Sequence, residues 1–258
     1  MLICAAGDIH GAIDELYEHV LQLEKQLAIN FDLVLHVGDF GAWPDPEKLD
    51  KATAKRDGPG DFAKWIGEGK RAPRSTVFIP GNHEDFEFLG KLSQSTEILP
   101  GLIYLPSGGA FNFKSNGQTL RIGGVGGCFS PKDYEVASAA LKGKARRHFT
   151  RDQVERVVRK ANDGRFDVIM THDAPTGVVV PTHRGGTTVS QAMGLGEMVA
   201  RTQPRISLFG HHHARVDAQV AGVRCIGLNC APNPGSLVAL EFPADSWECT
   251  ILGEWPTV

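Results

Sequence analysis

The sequence of 258 residues has no hydrophobic run close to the roughly 18 residues that a membrane span requires. Its apolar start, residues 1–6, carries no basic segment and is interrupted by Gly7-Asp8, so it lacks the pattern of a signal peptide. Cysteine is scarce: there are five, with no CxxC pair, which argues against a disulfide framework or a zinc finger. These absences predict a water-soluble protein of the reducing cytoplasm.

The sequence also lacks an excess of one charge. The formal net charge is -3, which disfavours broad, sequence-independent binding to nucleic acid. A compact phosphate site stays open, because bound metal ions would supply local positive charge. The apolar fraction of 41% and the length are ordinary for a globular protein, and we expect a single domain over residues 1–258.

Five short apolar runs, each ending in a polar or glycine-containing turn, predict buried β-strands. Between the first two, Ala12–Leu27 has apolar residues at three- and four-residue steps, which predicts an amphipathic helix. Phe149–Ala161 predicts another helix, with Thr150 as its N-cap. The five runs are Leu2–Ala6, Leu33–Val37, Thr76–Ile79, Asp167–Met170 and Ile206–Phe209.

Further β-like runs occupy the middle and the end of the chain. Asn116-Gly117 predicts a tight turn between two of them. We expect two mixed sheets packed face to face with helices outside, a long surface insertion over Trp43–Arg74 and a mobile loop over Thr176–Thr188. The additional runs are Leu102–Leu105, Gly109–Phe113, Thr119–Val125 and, as a C-terminal meander, Val216–Gly227, Ser236–Phe242 and Trp247–Leu252.

The turns after the five strands carry aspartate, histidine and asparagine. Ligands of open α/β sheets bind beyond the carboxyl ends of the strands, so these turns can share one pocket. Each turn alone has an ordinary explanation as a helix cap, a turn or a hydrogen-bonded histidine. Recurrence at five strand ends favours a common site. The turns are Gly7-Asp8-Ile9-His10-Gly11, Gly38-Asp39, Gly81-Asn82-His83-Glu84, Thr171-His172-Asp173 and Gly210-His211-His212-His213.

The residue types suit a pair of divalent cations. Carboxylate, imidazole and amide oxygen are ligands for Mn, Fe, Co, Ni or Zn, and the pattern does not choose among these metals. A pure magnesium site would use fewer imidazoles. In the DxH and HxH patterns, alternate residues of an extended segment point the same way and can face one site.

The series D-x-H, G-D, G-N-H-E, H and G-H-x-H, running from Asp8 to His213, resembles the calcineurin-like metallophosphoesterase family. The resemblance implies an αββα sandwich and a dimetal centre, with Asp39 bridging the two ions. It implies that one ion is held by Asp8, His10, Asp39 and His213. It implies that the other is held by Asp39, Asn82, His172 and His211.

The resemblance also implies phosphoester hydrolysis by in-line attack of a metal-bridging hydroxide. His83 would contact the phosphoryl group without binding metal, and donate a hydrogen bond or a proton. Asp173 and Glu84 are candidates for orienting imidazole rings from behind the ligands, or else turn residues that face solvent. His212 is the variable position of G-H-x-H and receives no role.

A more detailed resemblance is to the RNA lariat debranching enzymes, which cleave 2′,5′-phosphodiester bonds. It rests on segments such as Gly67-Glu68-Gly69-Lys70-Arg71-Ala72-Pro73 and Thr171-His172-Asp173-Ala174-Pro175. Those enzymes typically have cysteine where this chain has Asp8, and the eukaryotic ones have a large C-terminal region that is missing here. We therefore predict a phosphodiesterase acting on nucleotides or nucleic acid, with 2′,5′-branched RNA as one hypothesis.

Two alternatives remain. A phosphomonoesterase is suggested by GDIHG and GNHE, which are similar to protein phosphatases, although the GDxVDRG motif of those enzymes is absent. A non-catalytic metal-binding scaffold is the other, but every expected ligand position is filled.

Basic residues before the third strand and near Phe149 are either solvated surface or a rim that contacts substrate phosphates. The predicted rim residues are Lys70, Arg71, Arg74, His183 and Arg184.

Overall fold

The structure is a computed structural model that describes residues 1–55, 60–92, 94–182 and 185–256. Two large mixed sheets dominate it, which confirms the predicted fold class. The first sheet contains, in spatial order, β15 (Thr250–Glu254), β14 (Leu237–Glu241), β1 (Leu2–Ala6), β2 (Leu33–His36), β3 (Thr76–Phe78), β5 (Leu102–Tyr104) and β4 (Thr96–Leu99). The second contains β12 (Val216–Val220), β13 (Val223–Gly227), β11 (Ile206–Phe209), β8 (Val168–Thr171), β7 (Gln118–Val125) and β6 (Gly109–Ser115).

Helices lie on the outer faces of the two sheets, and two short strands form a separate hairpin. The hairpin consists of β9 (Val179–Pro181) and β10 (Thr187–Val189). The α-helices are α1 (Ile13–Leu27), α2 (Asp61–Glu68), α3 (Phe86–Leu89), α4 (Arg151–Lys160) and α5 (Leu195–Thr202).

The two-residue period of each central strand builds two layers of core. In β1, Ile3 and Ala5 belong to the cluster between the sheets, where they join residues of β8 and β11. Cys4 and Ala6 belong to the cluster under α1. Alternate side chains of a strand point to opposite faces, so a strand buried on both faces is apolar at every position.

The two predicted helices are confirmed with small shifts at their ends. Ile13, Leu16, Tyr17, Val20 and Leu23 of α1 are buried, and the Tyr17 hydroxyl lies 2.6 Å from Thr76 Oγ1 at the start of β3. At the start of α4 the Thr150 N–H donates to Gln153 Oε1 at 3.0 Å, as in a capping box.

Parallel pairing places the carboxyl ends of the important strands at one edge. In the first sheet β1, β2 and β3 run parallel, and in the second β8 and β11 do. The loops that follow these five strands therefore leave each sheet at a common edge.

Three expectations about the remaining segments need correction. Within Trp43–Arg74, residues 61–68 form α2, whose Phe62 and Trp65 are buried in the core, so this part is not a loose insertion. The hairpin of β9 and β10 occupies much of Thr176–Thr188. The C-terminal strands do not form one meander, because β12 and β13 join the second sheet while β14 pairs with β1 in the first.

Candidate metal centre and active site

The loops after β1, β2, β3, β8 and β11 meet at the common edge of the two sheets. Contacts between side chains link residues more than 200 positions apart, such as His10 and His213. The residues brought together are the predicted ones: Asp8, His10, Asp39, Asn82, His83, His172, His211 and His213.

Four side chains form a compact group of potential ligands. Asp8, His10, Asp39 and His213 each offer one ligand atom, and these atoms all lie within 4.8 Å of one another. His213 Nε2 is 3.0 Å from Asp8 Oδ2 and 3.4 Å from His10 Nε2. This is the set that the resemblance implies for one ion.

A second group adjoins the first and shares Asp39. His172 Nε2 lies 3.5 Å from Asp39 Oδ1 and 3.0 Å from Asn82 Oδ1. The His172 and His211 rings are 5.1 Å apart between centroids. Asp39 Oδ2 faces the other way, 3.9 Å from His10 Nδ1, so its carboxylate lies between the two groups.

A backbone contact selects which nitrogen of His172 faces the site. Its Nδ1 lies 3.0 Å from the carbonyl oxygen of Val37, which can only accept a hydrogen bond. The proton is therefore on Nδ1, and in the neutral ring Nε2 keeps a lone pair directed at Asp39 and Asn82. Metal-binding histidines are commonly oriented in this way.

The loops hold several of these residues in the left-handed region of backbone conformation. Positive φ values occur at His10 (48°), Asp39 (52°), His211 (65°) and His213 (48°). Such a conformation costs a non-glycine residue on the order of 1–3 kcal/mol and is concentrated at functional sites. Four strained residues in one cluster indicate that side-chain placement, not local backbone preference, determines these loops.

Glycine is required where a backbone passes directly behind a ligand. A Cβ at Gly81 would lie 2.0 Å from Asp39 Oδ1, and one at Gly210 would lie 2.3 Å from Asp8 Oδ1. No side chain fits at either distance, which explains the glycine that begins the GNHE and GHxH motifs.

The charges of the cluster fit bound cations. Asp8 and Asp39 are fully or almost fully buried, and Asp8 Oδ2 faces the imidazole of His213. Burial alone lowers the pKa of His172, but the adjacent Asp39 carboxylate outweighs burial and raises that pKa to about 10. Buried carboxylates need a positive partner. The protonated imidazole of His172 fills that role without metal, and a divalent cation would replace its proton.

Asp50 is a site residue that the motifs did not reveal. Its Oδ2 lies 2.7 Å from His83 Nδ1, while its Oδ1 accepts the N–H groups of Ala52 and Thr53. The hydrogen bond that the His83 imidazole donates to Asp50 raises the pKa of His83, although burial opposes this. The His83 N–H also donates to Asp39 Oδ1 at 2.7 Å, which fixes His83 beside the cluster.

The two residues predicted to orient imidazoles behave differently. Glu84 accepts the N–H groups of Phe40, Ala42 and Gly81, so it orders the backbone around Asp39 and not an imidazole ring. Burial, followed by the charge of Asp39, raises the pKa of Glu84 to about 8.

Asp173 does contact an imidazole, but that of His212, at 3.0 Å. Burial raises the pKa of Asp173, yet the hydrogen bond to His212 and the other lowering contacts outweigh it and bring the value to about 2. The variable residue of G-H-x-H thus has a partner, and Asp173 also accepts the N–H of Phe129.

The predicted basic rim stays a prediction, and one of its members lies away from the site. Arg74 precedes β3, at the opposite end of that strand from Asn82, and its guanidinium pairs with Glu24 at 2.7 Å, so it does not line the site. Lys70 pairs with Asp14 at 3.0 Å on α1, and Arg71 is exposed. The other two predicted rim residues, His183 and Arg184, lie outside the described residues.

The family model of the calcineurin-like phosphoesterases matches residues 1–215, a span that contains all of the clustered residues. The chain belongs to this family. Calcineurin-like phosphoesterases as a group hydrolyse phosphoesters and generally depend on two metal ions. The match ends before β14, although β14 pairs with β1.

Among curated relatives, this phosphoesterase is similar to lariat debranching enzymes. It is 30% identical to that of Danio rerio over 198 residues, 72% of this chain and 33% of the relative. It is 35% identical to that of Gallus gallus over 136 residues, 52% of this chain and 25% of the relative. The chain thus spans about a third or less of these two relatives.

Solved structures support the family fold. The NAD nucleotidase of Haemophilus influenzae superposes with a TM-score of 0.52 at 12% identity, covering 98% of this chain and 55% of that one. A Thermus thermophilus protein gives a TM-score of 0.51 at 13% identity, covering 97% and 96%. Among the described residues, no helix of this phosphoesterase combines the length and apolar character needed to cross a membrane.

Proposed function

We propose that this chain is a metal-dependent phosphodiesterase that acts on nucleotides or nucleic acid. The observation that carries the proposal is the position of Asp39, whose two oxygens face two different groups of ligands. The ions would be drawn from Mn, Fe, Co, Ni and Zn. One group is Asp8, His10 and His213, and the other is Asn82, His172 and His211, each completed by Asp39.

Each part of the site has a distinct task in this proposal. When bound, two divalent cations lower the pKa of a shared water and neutralise charge on the phosphoryl oxygens. Asp39 holds the two halves of the site together. His83, kept protonated by Asp50, donates a hydrogen bond to a phosphoryl oxygen or a proton to the leaving oxygen.

A cleft next to His83 supports a nucleotide-like substrate. Its volume is about 470 Å³, and its lining combines Trp43 and Phe86 with the basic residues Lys48, Lys144 and Arg146 and the acidic residues Glu84, Asp85 and Glu87. Aromatic faces and cations together match the bases and phosphates of nucleic acid.

Branched RNA is the most specific substrate that we propose to test. The similarity to lariat debranching enzymes supports it, and Asp8 in place of cysteine is the departure. Hydrolysis of a 2′,5′-branched RNA, compared with linear 3′,5′ RNA and cyclic nucleotides, separates debranching from general diester cleavage.

We also propose a cytoplasmic location, since Cys4 and Cys225 are buried as thiols in hydrophobic clusters.

The first experiment compares bis-p-nitrophenyl phosphate with p-nitrophenyl phosphate. We expect faster turnover of the diester, and a strong preference for the monoester would instead favour the phosphomonoesterase alternative.

Asp39→Ala should remove nearly all turnover and lower the amount of bound metal, because both ligand groups lose a member. Asp163→Ala, an exposed position, is the control. Full activity in Asp39→Ala would refute the proposed site.

A further inference from the structure

Cys230 lies next to the first group of ligands, and neither the motifs nor the family series assigns it a role. Its Sγ and one nitrogen each of His10 and His213 all lie within 4.8 Å of one another. Cys230 is 2% exposed. By comparison, Cys4 and Cys225 are members of hydrophobic clusters and pack against apolar side chains.

Hydrogen bonds fix the segment around Cys230 against the loop that carries Asp8. The Ala231 N–H donates to the carbonyl oxygen of Asp8 at 2.9 Å. Asn233 Nδ2 donates to the carbonyl oxygen of Cys230 at 3.0 Å. On the other side, the backbone of Asn229 passes so close to Gly7 that a Cβ there would lie 2.0 Å from its oxygen. The thiol is therefore held in place before any ligand binds.

The spacing of the neighbouring atoms suits a single small cation. Two nitrogens on a tetrahedral zinc ion, each about 2.05 Å from the metal, are separated by about 3.3 Å. The Nε2 atoms of His10 and His213 are 3.4 Å apart. Asp8 Oδ2 is fully buried and lies 3.0 Å from His213 Nε2.

We propose that Cys230 is a thiolate ligand of an ion held together with His10 and His213, and that it selects for zinc or iron at that position. This proposal rests on the metal centre of the proposed function. On binding, the thiol loses its proton to solvent and a metal–sulfur bond forms. A thiolate is a soft ligand that favours zinc or iron over magnesium or manganese, which carboxylates and water suit better.

The test uses the protein loaded with cobalt(II) or zinc and reads the metal–sulfur bond directly. We expect a thiolate-to-cobalt charge-transfer band, and X-ray absorption of the zinc form should show one sulfur at about 2.3 Å. Both signals should be lost in Cys230→Ser, whose zinc affinity should fall at least about 10-fold while manganese affinity changes little.

Cys249→Ser is the matched control. Cys249 adjoins Glu248, whose carbonyl binds Arg205 before β11, at the opposite end of that strand from His211. This variant should keep the band and the zinc affinity. Metal-loaded, active wild-type protein without sulfur coordination would overturn the role of Cys230 and leave the proposed function standing. Failure to bind two ions at all would overturn the proposed function itself.

Discussion

Substitutions at His83 and Asp50 test whether His83 is the proton donor. Asp50 is 33 residues before His83, yet its carboxylate lies 2.7 Å from the imidazole and raises the pKa of His83. A raised pKa keeps the ring protonated to higher pH. A reaction that needs the protonated ring therefore loses rate as the pH rises through that pKa.

Asp50→Asn should shift the alkaline limb of the kcat profile to lower pH, because the neutral amide no longer stabilises the imidazolium. The measurement is kcat against pH with bis-p-nitrophenyl phosphate. The companion variant His83→Ala should lose the limb, lower kcat about 10²–10⁴-fold and keep its metal content. An unchanged limb in Asp50→Asn would remove His83 as the proton donor.

The clustering of these side chains could be predicted because each follows a recognisable strand in a short motif. Asp50 could not, because it lies in a stretch rich in proline, lysine and aspartate with no strand before it. Cys230 follows β13 without a motif, and its approach to His10 depends on the pairing of strands distant in sequence. Only three-dimensional packing reveals both residues.

The start of α4 is anchored by Asp152. Its carboxylate accepts the N–H of Ser138 at 2.9 Å and the hydroxyl of Thr150 at 2.6 Å, and it pairs with Arg156. Burial raises the pKa of Asp152, but the hydrogen bonds from Thr150 and Ser138 outweigh it and lower the value to about 2. The Asp152 carboxyl group therefore ionises more readily in the folded chain than in the unfolded chain.

Asp152→Asn should lower the free energy of unfolding at neutral pH by on the order of 1 kcal/mol, allowing for solvent screening. Because the folded pKa is depressed, this stabilisation is present above about pH 4 and is lost as the pH falls towards 2. Urea unfolding at several pH values measures the difference. Asp163→Asn, at an exposed position, is the control, and a difference that persists undiminished below about pH 2 would contradict the assignment.

Helices and strands with a clear hydrophobic period were predictable, and those without one were not. The pattern of α1 is regular over fifteen residues, whereas α2 has only eight and is surrounded by Gly, Lys and Asp. β14 was expected as a strand, but its partner β1 is more than 230 residues away. Which sheet a strand joins depends on such distant pairing, which local periodicity does not encode.

The proposed ions would connect the two sheets, since their ligands come from loops of both. Asp8, Asp39 and Asn82 follow strands of the first sheet, and His172 and His211 follow strands of the second. An ion that binds only the folded form stabilises it by about 2.7 kcal/mol at 100 times its Kd. For a chain of this size that corresponds to roughly 5–10 °C in Tm.

Removal of metal with a chelator should therefore lower Tm by roughly 5–10 °C for each ion removed, and re-addition of zinc or manganese should restore it. Differential scanning calorimetry at fixed protein concentration measures the change. Asp39→Ala should show a much smaller response to metal. An equal response in that variant would mean that the stabilising ions bind elsewhere.

The placement of β14 between β15 and β1 has a consequence for how the molecule is made. During synthesis, β1 is exposed long before residues 237–241 leave the ribosome, so its backbone edge stays open to unwanted pairing with other chains. Pairing across such a distance also makes folding slow. The last of the clustered loops, residues 210–213, also precedes β14, so the edge of β1 is covered only after all of these loops have been synthesised.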